Sequence, residues 1–116
     1  MLSITKQDTK VLYLTLTEKT TISNPTYLFS LKSRQTDNVK NFILSDISAY
    51  TDRYNEFEFT EGDTDATTLD VGEHLYTIYA QIDPNNLNPN NADEIVETGI
   101  FKVIPLRNDE LFYIVE

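Results

Sequence analysis

Two apolar runs of period two, separated by a loop that no strand can span, occupy Leu69 to Ile104 and constrain everything else in this chain. Leu69-Asp70-Val71-Gly72-Glu73 reads as a turn, and it leads into Leu75-Tyr76-Thr77-Ile78-Tyr79-Ala80-Gln81-Ile82. Successive side chains of an extended chain point to opposite faces, so Tyr76, Ile78 and Ala80 form the core row, with Tyr79 and Gln81 opposite. The connection from Asp83 to Asp93 holds two prolines and five asparagines, residues that make turns and cannot continue a ladder. The return run is Ile95-Val96-Glu97-Thr98-Gly99-Ile100-Phe101-Lys102-Val103-Ile104. A pair of this kind is the closing hairpin of a small β-sandwich.

The remainder repeats the period. Leu12, Leu14 and Leu16 fall on one face against Tyr13, Thr15 and Thr17, an arrangement a helix would scatter. Thr20 to Pro25 is a turn region; Tyr27, Phe29 and Leu31 then share a face, and Val39 to Leu44 follows the polar turn Ser33 to Asn38. Asp46 to Asp52 suits a short helical turn or a bulged crossover. Tyr54 to Thr60 alternates throughout, with Phe57 and Phe59 inward and Glu56, Glu58 and Thr60 outward. Glu61 to Asp65 turns the chain into a short strand ending near Leu69, and a polar break after Pro105 precedes Leu111-Phe112-Tyr113-Ile114-Val115. The expected fold is all-β: an immunoglobulin-like Greek-key β-sandwich of seven to eight short antiparallel strands, with turn signals about every 8 to 12 residues. It forms one domain over residues 1–116, in which 106–116 is a terminal arm or an extra strand.

Composition removes several function classes. A chain of 116 residues buries enough surface to stand without staples, and with no cysteine it has no disulfide, no thiolate nucleophile and no Cys-ligated zinc. Their absence favours folding in a reducing cytoplasm. The first residues lack a basic start and an apolar core, so no signal peptide is expected, and no run approaches the roughly 20 apolar residues of a membrane span. Nineteen acidic against nine basic side chains leave a formal charge of −10, which repels nucleic acid and anionic lipid, and the basic residues are scattered rather than clustered.

Candidate chemistry is thin. His74, the single histidine, stands where a turn enters a strand, a solvated or edge position. Glu56 and Glu58 are the right type for a glycosidase pair, but outward glutamates stay ionised, whereas that mechanism needs one kept protonated by apolar surroundings. Glu61, Asp63 and Asp65 around Gly62 offer oxygen ligands of the kind calcium takes, without the full EF-hand loop. No phosphate-cradling glycine motif is present. The expectation is a protein that is not an enzyme, with no cofactor and no catalytic or metal-binding residues.

Binding surfaces remain. Leu87 is a lone apolar tip between two Pro-Asn elements, and Leu2-Ser3-Ile4 and Leu111 to Val115 are short apolar segments able to add a strand to an open edge, in their own sandwich or a neighbour's. Partner contact is therefore expected at Leu111, Phe112, Tyr113 and Val115, with Leu87 second.

Leu69-x-x-Gly72-Glu73-x-x-Tyr76-Thr77-Ile78-Tyr79, followed by Val96-Glu97-Thr98-Gly99-x-x-Lys102-Val103, resembles the C-terminal half of small immunoglobulin-like virion proteins of tailed bacteriophages, and most the auxiliary capsid (decoration) proteins of crAss-like phages. The resemblance covers about a third of the chain; the first sixty residues share only a general β pattern. It implies a structural role in the virion, many copies seated on major capsid protein subunits, with self-association within a symmetric assembly. Similar domains in tails, connectors and head fibres imply the alternative of a component that works through loop tips. A third reading is a carbohydrate- or calcium-binding module using the Glu61 to Asp65 turn.

Overall fold

The computed structural model describes residues 2–23, 25–49 and 54–105. Seven strands form there: β1 (Leu2–Thr5), β2 (Thr9–Leu14), β3 (Thr26–Ser33), β4 (Val39–Leu44), β5 (Asn55–Thr60), β6 (Gly72–Gln81) and β7 (Glu94–Ile104). They make a five-stranded sheet of order β1-β7-β6-β3-β4 and a two-stranded sheet of β2 and β5. All pairings are antiparallel except one: β1 runs parallel to β7, Leu2 opposite Phe101 and Thr5 opposite Ile104. The larger sheet is therefore mixed, which corrects the wholly antiparallel expectation. Leu2-Ser3-Ile4 pairs within its own sheet. Among the described residues no helix is long and apolar enough to cross a membrane.

The alternation read from the sequence becomes a shared interior. Leu12, Leu14, Phe57 and Phe59 of the smaller sheet meet Tyr27, Phe29, Leu31, Phe42, Tyr76, Ile78, Ala80, Phe101 and Val103 of the larger one in a single buried cluster. Aromatic rings stitch the layers together. Phe57 lies edge-on to Tyr27 and Phe29, with ring centroids 5.7 and 5.1 Å apart, and Phe59 sits between Phe42 and Phe101 at 5.0 and 6.0 Å. Such contacts add about 0.5–1.5 kcal/mol each beyond burial itself.

Several expectations about the connections change. The short strand before Leu69 is instead a 3-10 turn at Asp65–Thr67, and the first leucine strand stops at Leu14, although Leu16 beyond it is fully buried. Residues 45–49 are irregular, with no helical turn; 50–53 lie outside the described residues, as do Leu111, Phe112, Tyr113 and Val115.

The largest correction concerns His74. It is buried, in the inward row of β6 between Ser33 and Phe101, with Nδ1 3.3 Å from the Gly72 carbonyl. The turn residue Gly72, at φ +119°, begins the strand itself, so His74 is already inside the ladder rather than at its solvated mouth. Gln81, expected on the outward row, is likewise fully buried, for a reason that lies in the loop beyond it.

Candidate functional site

Of the acidic candidates, Glu61 proves to be part of the framework, while Glu58, Asp63 and Asp65 are exposed. Glu61 is turned inward, and its side chain is completely covered. Its Oε1 accepts from the Gln7 amide at 2.7 Å; its Oε2 accepts from Lys6 Nζ at 2.7 Å and from the Leu69 amide at 2.9 Å. Lys6 Nζ also donates to the Leu69 carbonyl at 2.7 Å. Burial opposes ionisation, but the Lys6 ammonium and the two amides outweigh it and hold the carboxyl below its ordinary value. Glu61 therefore clamps the β1–β2 corner to the chain before β6, and both of its oxygens are engaged there. Among the described residues no group of three or more His, Asp or Glu is placed to hold a metal ion.

A cavity of about 340 Å³ opens between Thr17, Thr20, Tyr27, Asp46 and Asn55. Its polar groups are engaged with one another. Asn55 Oδ1 accepts from the amides of Leu16 and Thr17 at 2.6 and 3.1 Å, and its Nδ2 donates to Asp46 Oδ2 at 2.6 Å and Thr17 Oγ1 at 3.0 Å. Asp46 Oδ1 accepts from the amides of Ser48 and Glu56. This buried asparagine holds the chain beyond β2 in place where ladder bonds have ended.

The 82–93 loop is organised rather than slack. Gln81 Nε2 donates to the carbonyls of Asp83 and Asn86 at 2.9 and 2.8 Å, and Asn86 Nδ2 returns a bond to Gln81 Oε1 at 2.8 Å. Side-chain oxygens of Asp83, Asn86 and Asn88 accept from amides two residues on, and Asp93 accepts from the Ile82 amide. These Asx turns preset the backbone, so a contact made by the loop costs little ordering. The frame holds Leu87 half exposed at its tip. This tip and the exit of the chain at Pro105 are at opposite poles of the sandwich, separated by the length of β7, roughly 33 Å at 3.3 Å per residue. The fold therefore does not bring Leu87 together with the end of β7, from which the 111–115 segment follows.

A surface missed by the sequence reading lies on the outside of the five-stranded sheet. The register sets Ile95, Tyr79, Leu28 and Ile43 side by side across β7, β6, β3 and β4. Thr98, Thr77, Ser30 and Asn41 form the next outward row, and Ile100, Leu75, Lys32 and Val39 the one after. Ile95, Leu75 and Val39 are 60%, 49% and 50% exposed, while Leu28 is completely covered by its surroundings. In the polar row, Asn41 Oδ1 is buried without a hydrogen-bond partner. The outer rows of the two-stranded sheet differ: Thr9 faces Thr60, Val11 faces Glu58, and Tyr13 faces Glu56. A signal for the apolar face was present in the second parity of the strands, where Leu28, Leu75, Tyr79, Ile95 and Ile100 break the polar-outside rule. Strands apolar on both faces belong to sheets covered on both sides.

The motif residues of the closing hairpin meet in space. Tyr76 lies opposite Gly99, where a Cβ would come within 2.6 Å of its ring, and its hydroxyl donates to Glu97 Oε2 at 2.8 Å. Desolvation and the Glu97 carboxylate together push the phenol above the ordinary tyrosine range. The ring occupies the space that glycine leaves open, and Lys19 closes the group by pairing with Glu97 at 2.9 Å. Comparison with protein-family models, curated proteins and solved structures finds no match to this chain.

Proposed function

We propose that this chain is a non-enzymatic structural protein of a tailed-bacteriophage particle, an auxiliary capsid (decoration) protein that seats on major capsid protein subunits and reinforces the head. The observation that carries the reading is the β6–β7 hairpin, in which the Gly72-Glu73 turn, the Tyr76 to Tyr79 row and the Glu97-Thr98-Gly99 return resemble that group. An immunoglobulin-like sandwich fits the strand order, with β1 parallel to β7 at one edge and β2–β5 as the opposing layer.

A small, rigid body whose buried carboxylate and asparagine are spent on its own framework does its work through surfaces. Leu87 on its preset loop is one contact. Leu111, Phe112, Tyr113 and Val115, on the segment that follows Pro105, are the other, and such contacts reach a stable size at about 800 Å² per partner. The formal charge of −10 disfavours nucleic acid and membrane and keeps particles apart. On this reading the protein is made in the host cytoplasm and resides in the virion.

Quantifying the chain in purified particles tests the proposal. Hundreds of copies per particle are expected. A small multiple of three or six would replace the capsid with a tail, connector or head-fibre location, and absence from particles would overturn the reading.

A further inference from the structure

We infer that the outer edge of β2 is a docking site for one more strand, and that its occupant is Leu111 to Val115 of the same chain, laid parallel to β2. That segment lies outside the described residues, so the assignment comes from the edge, the tether and the charges around them. The virion reading is not needed for it. A strand so placed still turns one row of its side chains outward to a partner.

The Glu61 amide donates to the Asp8 carbonyl at 3.0 Å, so Asp8–Glu61 is a hydrogen-bonded pair, and antiparallel alternation repeats this at Lys10, Leu12 and Leu14. Thr9, Val11 and Tyr13 therefore point their N–H and C=O groups away from β5. The Thr9 amide is taken by Asp8 Oδ1 at 2.9 Å, but among the described residues nothing bonds to the outward groups of Val11 and Tyr13. The far side of β5 is closed: Glu56 accepts from the Ile47 amide at 2.8 Å, and its own amide donates to Asp46 Oδ1 at 3.1 Å. The other edges are short or engaged. β1 has four residues, and its Thr5 carbonyl accepts from the Asp8 amide; β4 packs on the Asp65–Thr67 turn, where Lys40 Nζ donates to the Asp65 carbonyl at 3.1 Å.

The tether selects both the edge and the direction. The chain leaves β7 beside the β1–β2 corner, where the Lys6 amide donates to the Ile104 carbonyl at 2.8 Å, and Thr9 follows three residues after Lys6. Residues 106–110 reach up to about 17 Å, while the three corner residues span at most about 10 Å. That reach covers the start of β2 but not its far end, five residues or about 17 Å further on. The segment therefore travels with β2, in parallel. So short a tether holds it at an effective concentration in the mM range, which favours the chain's own segment over that of a second copy. Phe112, Tyr113, Ile114 and Val115 are also residue types that pleated strands favour.

Charge sets the register. Lys10, at the start of β2, is exposed and has no carboxylate partner among the described residues. Asp109-Glu110 directly precede the apolar run, and the parallel alignment that brings Glu110 to Lys10 lays Leu111 to Val115 along Val11 to Thr15. A lysine on an edge discourages chance pairing. This one receives a strand led by two acids.

The test is amide hydrogen exchange of the full chain, read residue by residue by NMR at two protein concentrations. The amides of Val11 and Tyr13 are expected to exchange at least about 100-fold more slowly than free amides, and to lose that protection in a chain ending at Pro105. The Leu12 amide, bonded to β5, should stay protected in both and so reports that the shortened chain is folded. If shortening unfolds the chain, Phe112→Pro/Tyr113→Pro gives the same reading at full length, because adjacent prolines remove the ladder donor of either parity. Fast exchange at Val11 and Tyr13 in the full chain, or protection that survives shortening or the paired prolines, would overturn the inference. Protection that grows with concentration would overturn it in favour of a second copy's segment. Protected amides in a chain absent from purified particles would leave this inference standing and remove the virion reading, while free amides in a chain present at hundreds of copies would do the reverse.

Discussion

The outer faces of the two sheets are built from strands of the same period and end up with different proportions of apolar and charged residues. Across β7, β6, β3 and β4 the outward rows hold isoleucines, a leucine pair, a tyrosine and a valine around a polar row of Thr98, Thr77, Ser30 and Asn41, with Lys32 beside Leu75; across β2 and β5 they hold threonines, Glu56, Glu58, Val11 and Tyr13. Inward, the two sheets are indistinguishable in kind, and both contribute aromatics to one interior. An inward row must be apolar or hydrogen-bonded within the protein because it is dry. An outward row is free of that constraint, so its composition reports what the face meets.

That comparison can be attacked first at what the two sheets share. Phe57 belongs to the smaller sheet, yet it stacks edge-on against two rings of the larger one. Phe57→Ala should destabilise by about 3–5 kcal/mol in denaturant unfolding, in one cooperative step. A loss well below 1 kcal/mol would mean that β2 and β5 are a strap over an independently stable sheet. Next comes the clamp at the corner. Glu61→Ala strands Lys6 and two amides, and a loss of about 3 kcal/mol is expected from breaking a covered ion pair.

The same clamp predicts a pH response. The folded carboxyl of Glu61 lies below its ordinary value of 4.5, so the unfolded chain binds the proton more readily, and stability rises with pH through that window. The contribution should be complete above about pH 4.5 and should disappear as pH falls through the lowered folded value. Comparing acid unfolding of the native chain with Glu61→Gln isolates it: the variant should lack this part of the acid-dependent loss. An unchanged profile would show that the carboxylate is not held ionised by Lys6.

The smallest expected effect is the sharpest for the two faces. Leu75→Lys and Glu58→Lys each change an exposed residue, and each should move stability by no more than about 0.5 kcal/mol. A loss well above that at Leu75 alone would mean that the cover over Leu28 extends along the outer face of the larger sheet to Leu75.

Much of the architecture was legible because alternation is a local property. Tyr76, Ile78 and Ala80, Tyr27, Phe29 and Leu31, and Phe57 and Phe59 point inward as the period requires. The sites were less legible, since each depends on a partner distant in sequence. Lys6 meets Glu61 fifty-five positions away, Leu16 meets Asn55 thirty-nine away, and Tyr76 meets Glu97 twenty-one away. Gln81 misled for a related reason: the parity of the strand assigns it outward, but a loop that folds back over it buries its amide. His74 was misplaced because a positive-φ glycine two residues earlier starts the ladder sooner than the turn chemistry indicates.

By itself, then, the order of residues determined that each strand has a dry side, that the hairpin closes through a loop of asparagine and proline, and that the chain carries a strong negative charge. Only the tertiary structure decided that β1 joins β7 in parallel, that Glu61 turns inward to Lys6, and that Ile95, Tyr79, Leu28 and Ile43 line up as one outward row. The physical reason is that period two states how many faces a strand has but not what lies across from each. That is set by register between segments tens of residues apart, where packing and hydrogen bonding choose among pairings that no local pattern distinguishes.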